Sequence, residues 1–155
     1  MIELNKKTQQ DFLNREWVKR LLDVGVDMSD AKYCIQTNEN TGKDYIALKT
    51  QNTPTFIAKG SIIPTYTVSE LLYKLHEWIY PTIDGVEYSG GLRLYKDAPF
   101  YPAYYDLKDK DGKWNEDIFM CDGEFPIESL AMLLIQCHKH DIGCRYKDTG
   151  DISDK

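Results

Sequence analysis

The chain has no run of basic residues, no catalytic signature and no long apolar stretch. Its basic side chains are scattered, and groupings such as Lys6-Lys7 and Lys19-Arg20 are only pairs. With 25 acidic against 19 basic residues the net charge is −6. Binding to a phosphate backbone depends on Lys and Arg displacing counterions, so this balance disfavours nucleic acid as a partner. A small acidic protein is expected instead to meet a basic protein surface. The longest apolar run, Leu130 to Ile135, is six residues. A membrane-spanning helix needs about 20. No apolar segment lies within Met1 to Lys7, so no secretory leader is expected there. The four cysteines, Cys34, Cys121, Cys137 and Cys144, are therefore expected to be reduced thiols of a cytoplasmic protein. Also missing are Gly-x-Ser-x-Gly, the P-loop and Gly-x-Gly-x-x-Gly. The reading is non-enzymatic, with no cofactor.

What is present suits one domain over 1–155, with 1–10 and 147–155 read as loose from their polarity. The apolar fraction is 42%, and 11 Tyr, 5 Phe and 3 Trp supply large core side chains. Leu13, Trp17, Leu21 and Val24 recur at helical spacing. A helix is expected over about 11–24, capped by Asp11 and closed by Gly25. Residues 31–36 and 44–49 flank an Asn/Gly-rich turn and read as a hairpin. Thr55 to Ala58 reads as a short strand, and Ile62-Ile63 as packing inward. Thr67 and Glu70 form a capping box. With Leu71, Leu72, Leu75, Trp78 and Ile79 behind it, a helix is expected over about 68–80, stopped by Pro81. Gly90-Gly91 opens a second strand block through Tyr95. Residues 100–107 form another strand, Asp109 to Gly112 a turn, and 113–121 a returning strand. Pro126 sits at the first position of a third helix, apolar around most of its circumference and therefore central. The expected order is α-β-β-α-β-β-(β)-α. This is an α+β fold, an antiparallel sheet packed by three helices.

The stretch Trp17 to Tyr33 resembles the opening of small uncharacterised proteins carried by phages and mobile elements of gut bacteria. Ile63-Pro64-Thr65-Tyr66-Thr67-Val68-Ser69-Glu70-Leu71-Leu72 is similar to a proline-threonine-tyrosine-threonine step that precedes a helix in that group. Gly91-Leu92-Arg93-Leu94-Tyr95-Lys96 is similar to a strand before its second half. The resemblance spans loosely residues 15 to 140. It implies a phage or prophage accessory protein and carries no activity or functional residue with it.

Three constellations bear on chemistry. Cys137, His140 and Cys144 fall at i, i+3 and i+7, with Cys121 as a conceivable fourth zinc ligand. Against a metal site stand the absence of Cys-x-x-Cys and Gly143, which is expected to end the helix. A buried thiol beside histidines at a helix C-terminus is the plainer account. Asp109-Lys110-Asp111-Gly112 fails as a calcium loop, because Leu107 and Ile118 then occupy positions that require carboxylates. The third is the tyrosine-rich strand block. By strand alternation Tyr101, Ala103 and Tyr105 share one face, and Phe100, Pro102 and Tyr104 the other. Tyr95, Tyr101, Tyr104 and Tyr105 are the candidate interface residues, since exposed Tyr marks protein interfaces.

The expected function is binding and inhibition of a host protein, such as a defence protein, by a mobile-element accessory factor. A small-molecule or nucleotide binder, with Arg93 or Lys96 reaching a phosphate beside tyrosine rings, is the alternative. A metal-dependent enzyme is the third reading.

Overall fold

The computed structural model describes residues 2–49, 62–115 and 119–142. It is an α+β fold with three helices, and its strands divide between two antiparallel sheets. The small sheet has the order β1-β3-β2-β4: β1 (Ile2–Glu3), β3 (Asp44–Leu48), β2 (Tyr33–Thr37) and β4 (Ile62–Thr65). The large sheet has the order β10-β8-β7-β5: β10 (Met120–Gly123), β8 (Tyr101–Asp109), β7 (Val86–Leu94) and β5 (Trp78–Ile79). Two short strands extend it. β6 (Thr82–Ile83) pairs with β7, and β9 (Trp114–Asn115) pairs with β8.

The expected β2–β3 hairpin is present, with Cys34 opposite Ala47 and Ile35 opposite Ile46. Gly42 has φ +70°, which suits a residue without a side chain. Residues 2–10, polar enough to read as loose, carry β1 and a 3₁₀ turn at Thr8–Gln10. The strand expected at Thr55 to Ala58 lies outside the described residues, and the third helix, expected to be ended by Gly143, already ends at Lys139.

Helix α1 spans Arg15–Asp23, four residues shorter at its start than the periodicity predicts. Its cap is Asn14, whose side chain accepts from Trp17 N at 3.1 Å. Asp11 has no part in it, because Phe12 and Leu13 are used differently. Phe12 bridges Thr67, and Leu13 N donates to Tyr66 O. Pairing with the segment before α2 buries both side chains in extended backbone.

Helix α2 starts where expected. Thr67 accepts from Glu70 N at 3.2 Å, and the Glu70 carboxylate returns to Thr67 N. It runs only over Val68–Lys74, however, and not to residue 80. Leu75 is extended at φ −81°, ψ 137°, and Trp78–Ile79 form β5 against Gly91 and Gly90. The helical spacing of Leu71, Leu75 and Ile79 is real, but β7 offers Ile79 a backbone ladder as well as a core position.

Helix α3 (Pro126–Lys139) is the centre of the molecule. Leu130, Leu133 and Leu134 are fully buried, together with Ile127, Ala131 and Cys137. It packs on β8 and β10 on one side and on α1 and α2 elsewhere. Ser129 fastens it to the large sheet, since its Oγ accepts from Gly123 N at 2.7 Å and donates to Tyr101 O.

β7 and β8 meet closely at Gly90. A Cβ there would lie 2.0 Å from the backbone O of Asp106. Backbone cannot move aside as a side-chain tip can, so only glycine fits. Replacing Gly90 by Ala is expected to destabilise the fold by about 2 kcal/mol or more, measured by urea denaturation. Retention of wild-type stability would show that β7 and β8 can separate at this point without cost.

Candidate functional site: the outer face of the large sheet

The register of the large sheet sorts its side chains into two faces. The inner face carries Ile79, Gly90 and Leu107 in one row, and Leu92 with Tyr105 in the next. These meet α3. The outer face carries Trp78–Gly91–Asp106, then Arg93–Tyr104–Met120, then Ser89–Lys108–Trp114. Tyr95, whose N donates to Pro102 O, extends the face beyond β7.

Trp78 is 51% exposed, Trp114 49%, Tyr95 48% and Met120 44%. Large apolar side chains exposed singly are ordinary, but four on one strand face form a patch. The patch is built, not incidental. A Cβ on Gly91 would meet the Trp78 ring at 3.1 Å and Arg93 Nη1 at 3.2 Å. Gly91 therefore lets the indole lie across β7 beside the guanidinium. Lys108 Nζ sits 4.1 Å from the Trp114 ring centroid, a cation–π contact. Tyr95 and Tyr104 meet edge to face, with centroids 6.0 Å apart at 87°. Arg93 Nη2 stands 3.8 Å from Asp106 Oδ2, a loose pair, while Asp106 Oδ1 is buried without a hydrogen bond.

Of the four tyrosines expected at an interface, the structure brings Tyr95 and Tyr104 together on this face. Tyr101 lies half-buried on the inner side, with Lys96 Nζ 5.9 Å from its ring. Tyr105 is 1% exposed, its hydroxyl donating to His76 O at 2.6 Å and its ring against Phe119. It belongs to the core and cannot contact a partner from there. Alternation separated Tyr104 from Tyr105, but which face met α3 depended on the fold. Trp78, Lys108, Trp114 and Met120 were missed because their pairings are fixed by register among β5, β7, β8, β9 and β10. The Gly90-Gly91 pair inside a strand was the one sequence sign of a close approach.

A groove of about 380 Å³ adjoins the face, lined by Tyr80, Thr82, Glu87, Tyr88, Ser89, Lys108, Asp109 and Lys110. Tyrosine walls and cations are present, as the nucleotide reading requires. Arg93 and Lys96 are not among its lining residues, and Lys108 and Lys110 take their place.

Cys137 is buried in α3, whereas His140 is exposed at the end of that helix, its ring 5.0 Å from Phe119. Cys144 lies outside the described residues. Among the described residues no three His, Cys, Asp or Glu side chains are grouped to hold a metal ion. Burial pushes the Cys121 thiol up to about 11, with Asp122 adding to the shift. Such a thiol is a poor nucleophile and a poor ligand near neutral pH.

The interior holds a charged cluster. Lys74 is 1% exposed and pairs with Asp30 at 3.1 Å, and the Tyr66 hydroxyl donates to Asp30. Glu70 is buried, serving the capping box and accepting from Lys32 N at 3.2 Å. His138 on α3 has a buried Nε2 with no hydrogen bond. Burial, and then the charge of Lys74, hold its pKa below the ordinary histidine value of 6.5. The folded state thus binds fewer protons than the unfolded chain in this range. Stability is expected to fall as pH drops below about 6.5 and to level off once folded His138 is itself protonated. Urea denaturation at neutral and mildly acidic pH should show a smaller loss for His138→Gln than for the natural chain. An equal loss in both would assign the effect to other groups.

Among the described residues no helix is long and apolar enough to cross a membrane. Comparison with family models, with curated proteins and with solved structures finds no match for this chain.

Proposed function

We propose that this chain is a binding protein that engages a partner protein through the outer face of the large sheet. The observation that carries the reading is the array of exposed Trp78, Arg93, Tyr95 and Trp114, with half-buried Tyr104 among them, on one strand face. Trp, Tyr and Arg dominate binding energy at protein interfaces because each combines large apolar area with a polar handle. Rings already seated against Gly91 and Lys108 lose little freedom on docking, which favours affinity. The resemblance to phage and mobile-element proteins supports the narrower role of a cytoplasmic accessory factor acting on a host protein, such as a defence protein. One mechanism open to an acidic protein is to fill the nucleic-acid-binding groove of its target. That mechanism needs carboxylates beside the aromatic rings, and Arg93 and Lys108 occupy those positions on this face.

The test is capture of partners from a bacterial lysate by three forms: the natural chain, Trp78→Ala with Tyr104→Ala, and Leu48→Ala on the small sheet. A partner held by the first and third and lost by the second is the expected result. Hot-spot truncations of this kind cost about 2 kcal/mol each, roughly 30-fold in affinity. Partner retention by the Trp78/Tyr104 variant would remove the outer face from the interface.

The groove between the β6–β7 and β8–β9 turns favours a second reading, a small-molecule or nucleotide binder. Tyr80 and Tyr88 supply rings, and Lys108 and Lys110 supply charge for a phosphate. A ligand bound only by the folded state raises the melting temperature, so a thermal-shift screen with nucleotides decides this reading.

A further inference from the structure

The outer face differs in charge from the chain that carries it. The protein bears −6, yet the three central rows of the face hold two exposed cations, Arg93 and Lys108, and one carboxylate. That carboxylate, Asp106, is the least exposed of the three, its side chain at 21% against 53% for Arg93. Its Oδ2 faces Arg93 at 3.8 Å, too far for a tight pair, so the guanidinium keeps donors free for another acceptor. Arg93 Nη1 donates to Leu92 O at 3.1 Å, and both Arg93 Nη1 and the Trp78 ring border Gly91. Lys108 is held over Trp114. Two further carboxylates on the outer side, Glu87 and Asp122, lie at opposite margins of the face.

We infer that the contact segment of the partner is acidic and apolar: a protein strand or loop whose carboxylates meet Arg93 and Lys108 and whose apolar side chains cover Trp78, Tyr104 and Trp114. This rests on the outer face being the docking surface and adds the chemistry of what docks. A basic segment would leave both cations opposed to like charge, which costs affinity and slows encounter. An uncharged apolar segment would bury Arg93 and Lys108 without acceptors, which is costly for a desolvated charge. A carboxylate at Arg93 gains a charge-assisted pair of defined geometry.

The experiment measures fluorescence anisotropy of the full chain with three probes at low and moderate salt. They are a labelled peptide alternating Glu with Leu and Tyr, the same peptide with Lys for Glu, and single-stranded oligothymidine. The Glu peptide is expected to bind at least roughly tenfold more tightly than the Lys peptide, and to weaken with salt as exposed ion pairs are screened. Arg93→Gln with Lys108→Gln, which keeps size and polarity, should remove that preference while leaving circular dichroism unchanged. Equal affinity for the two peptides overturns the inference. Tighter binding of oligothymidine than of the Glu peptide overturns it in favour of a base-stacking surface. Self-association in sedimentation, abolished by the Gln variant, overturns it in favour of a second copy of this chain. A lysate partner that depends on Trp78 and Tyr104 but not on Arg93 and Lys108 leaves the docking face standing and removes the acidic contact.

Discussion

Burial of α3 is the constraint on which the rest of the structure depends. A helix with Ile127, Leu130, Ala131, Leu133, Leu134 and Cys137 inward is apolar on too many sides to lie on a surface. It must be enclosed, and no single element encloses a helix. The large sheet covers one side through β8 and β10, and α1 and α2 cover others. The Ser129 hydroxyl, linking Gly123 N to Tyr101 O, fixes the seating with buried hydrogen bonds.

The proposed docking surface follows from that enclosure. An antiparallel sheet has two faces, and α3 uses one. In β8 the residues meeting α3 are Ala103, Tyr105 and Leu107, so Tyr104 and Lys108 must point away. With no described helix on the other side, that face would ordinarily be polar. Here it carries tryptophans and tyrosines instead, each positioned by a specific neighbour: Trp78 by Gly91, Trp114 by Lys108, Tyr95 by Tyr104. Such placement lowers the entropy lost on binding, and it separates this face from scattered apolar exposure.

The charged interior has a different origin. Lys74 ends α2 directly before the chain turns extended toward β5, and its ammonium is caught inside by Asp30 and the ring of Tyr66. Burying an ion pair seldom adds net stability, but losing one partner leaves a charge stranded. The pair therefore ties the end of α2 to the loop before β2 more by penalty than by gain. It also sets the electrostatic surroundings of His138 on the neighbouring helix.

The sequence by itself determined the local elements whose causes are local. The Thr67–Glu70 capping box started α2, Pro126 started α3, and the turn through Gly42 joined β2 to β3. Each rests on backbone hydrogen bonds or dihedral preferences within a few residues. It also determined the α+β class and the alternation that puts Tyr104 and Tyr105 on opposite sides of one strand. Only the tertiary structure decided the rest. Residues 78–79 left their helical pattern because β7 offered them a ladder, and Phe12 and Leu13 did so to pair beside Tyr66. Which tyrosines are exposed was decided by the face α3 chose. That Trp78, Arg93, Tyr104, Lys108 and Trp114 form one surface depends on register across four strands, and register is set by packing between residues distant in the chain.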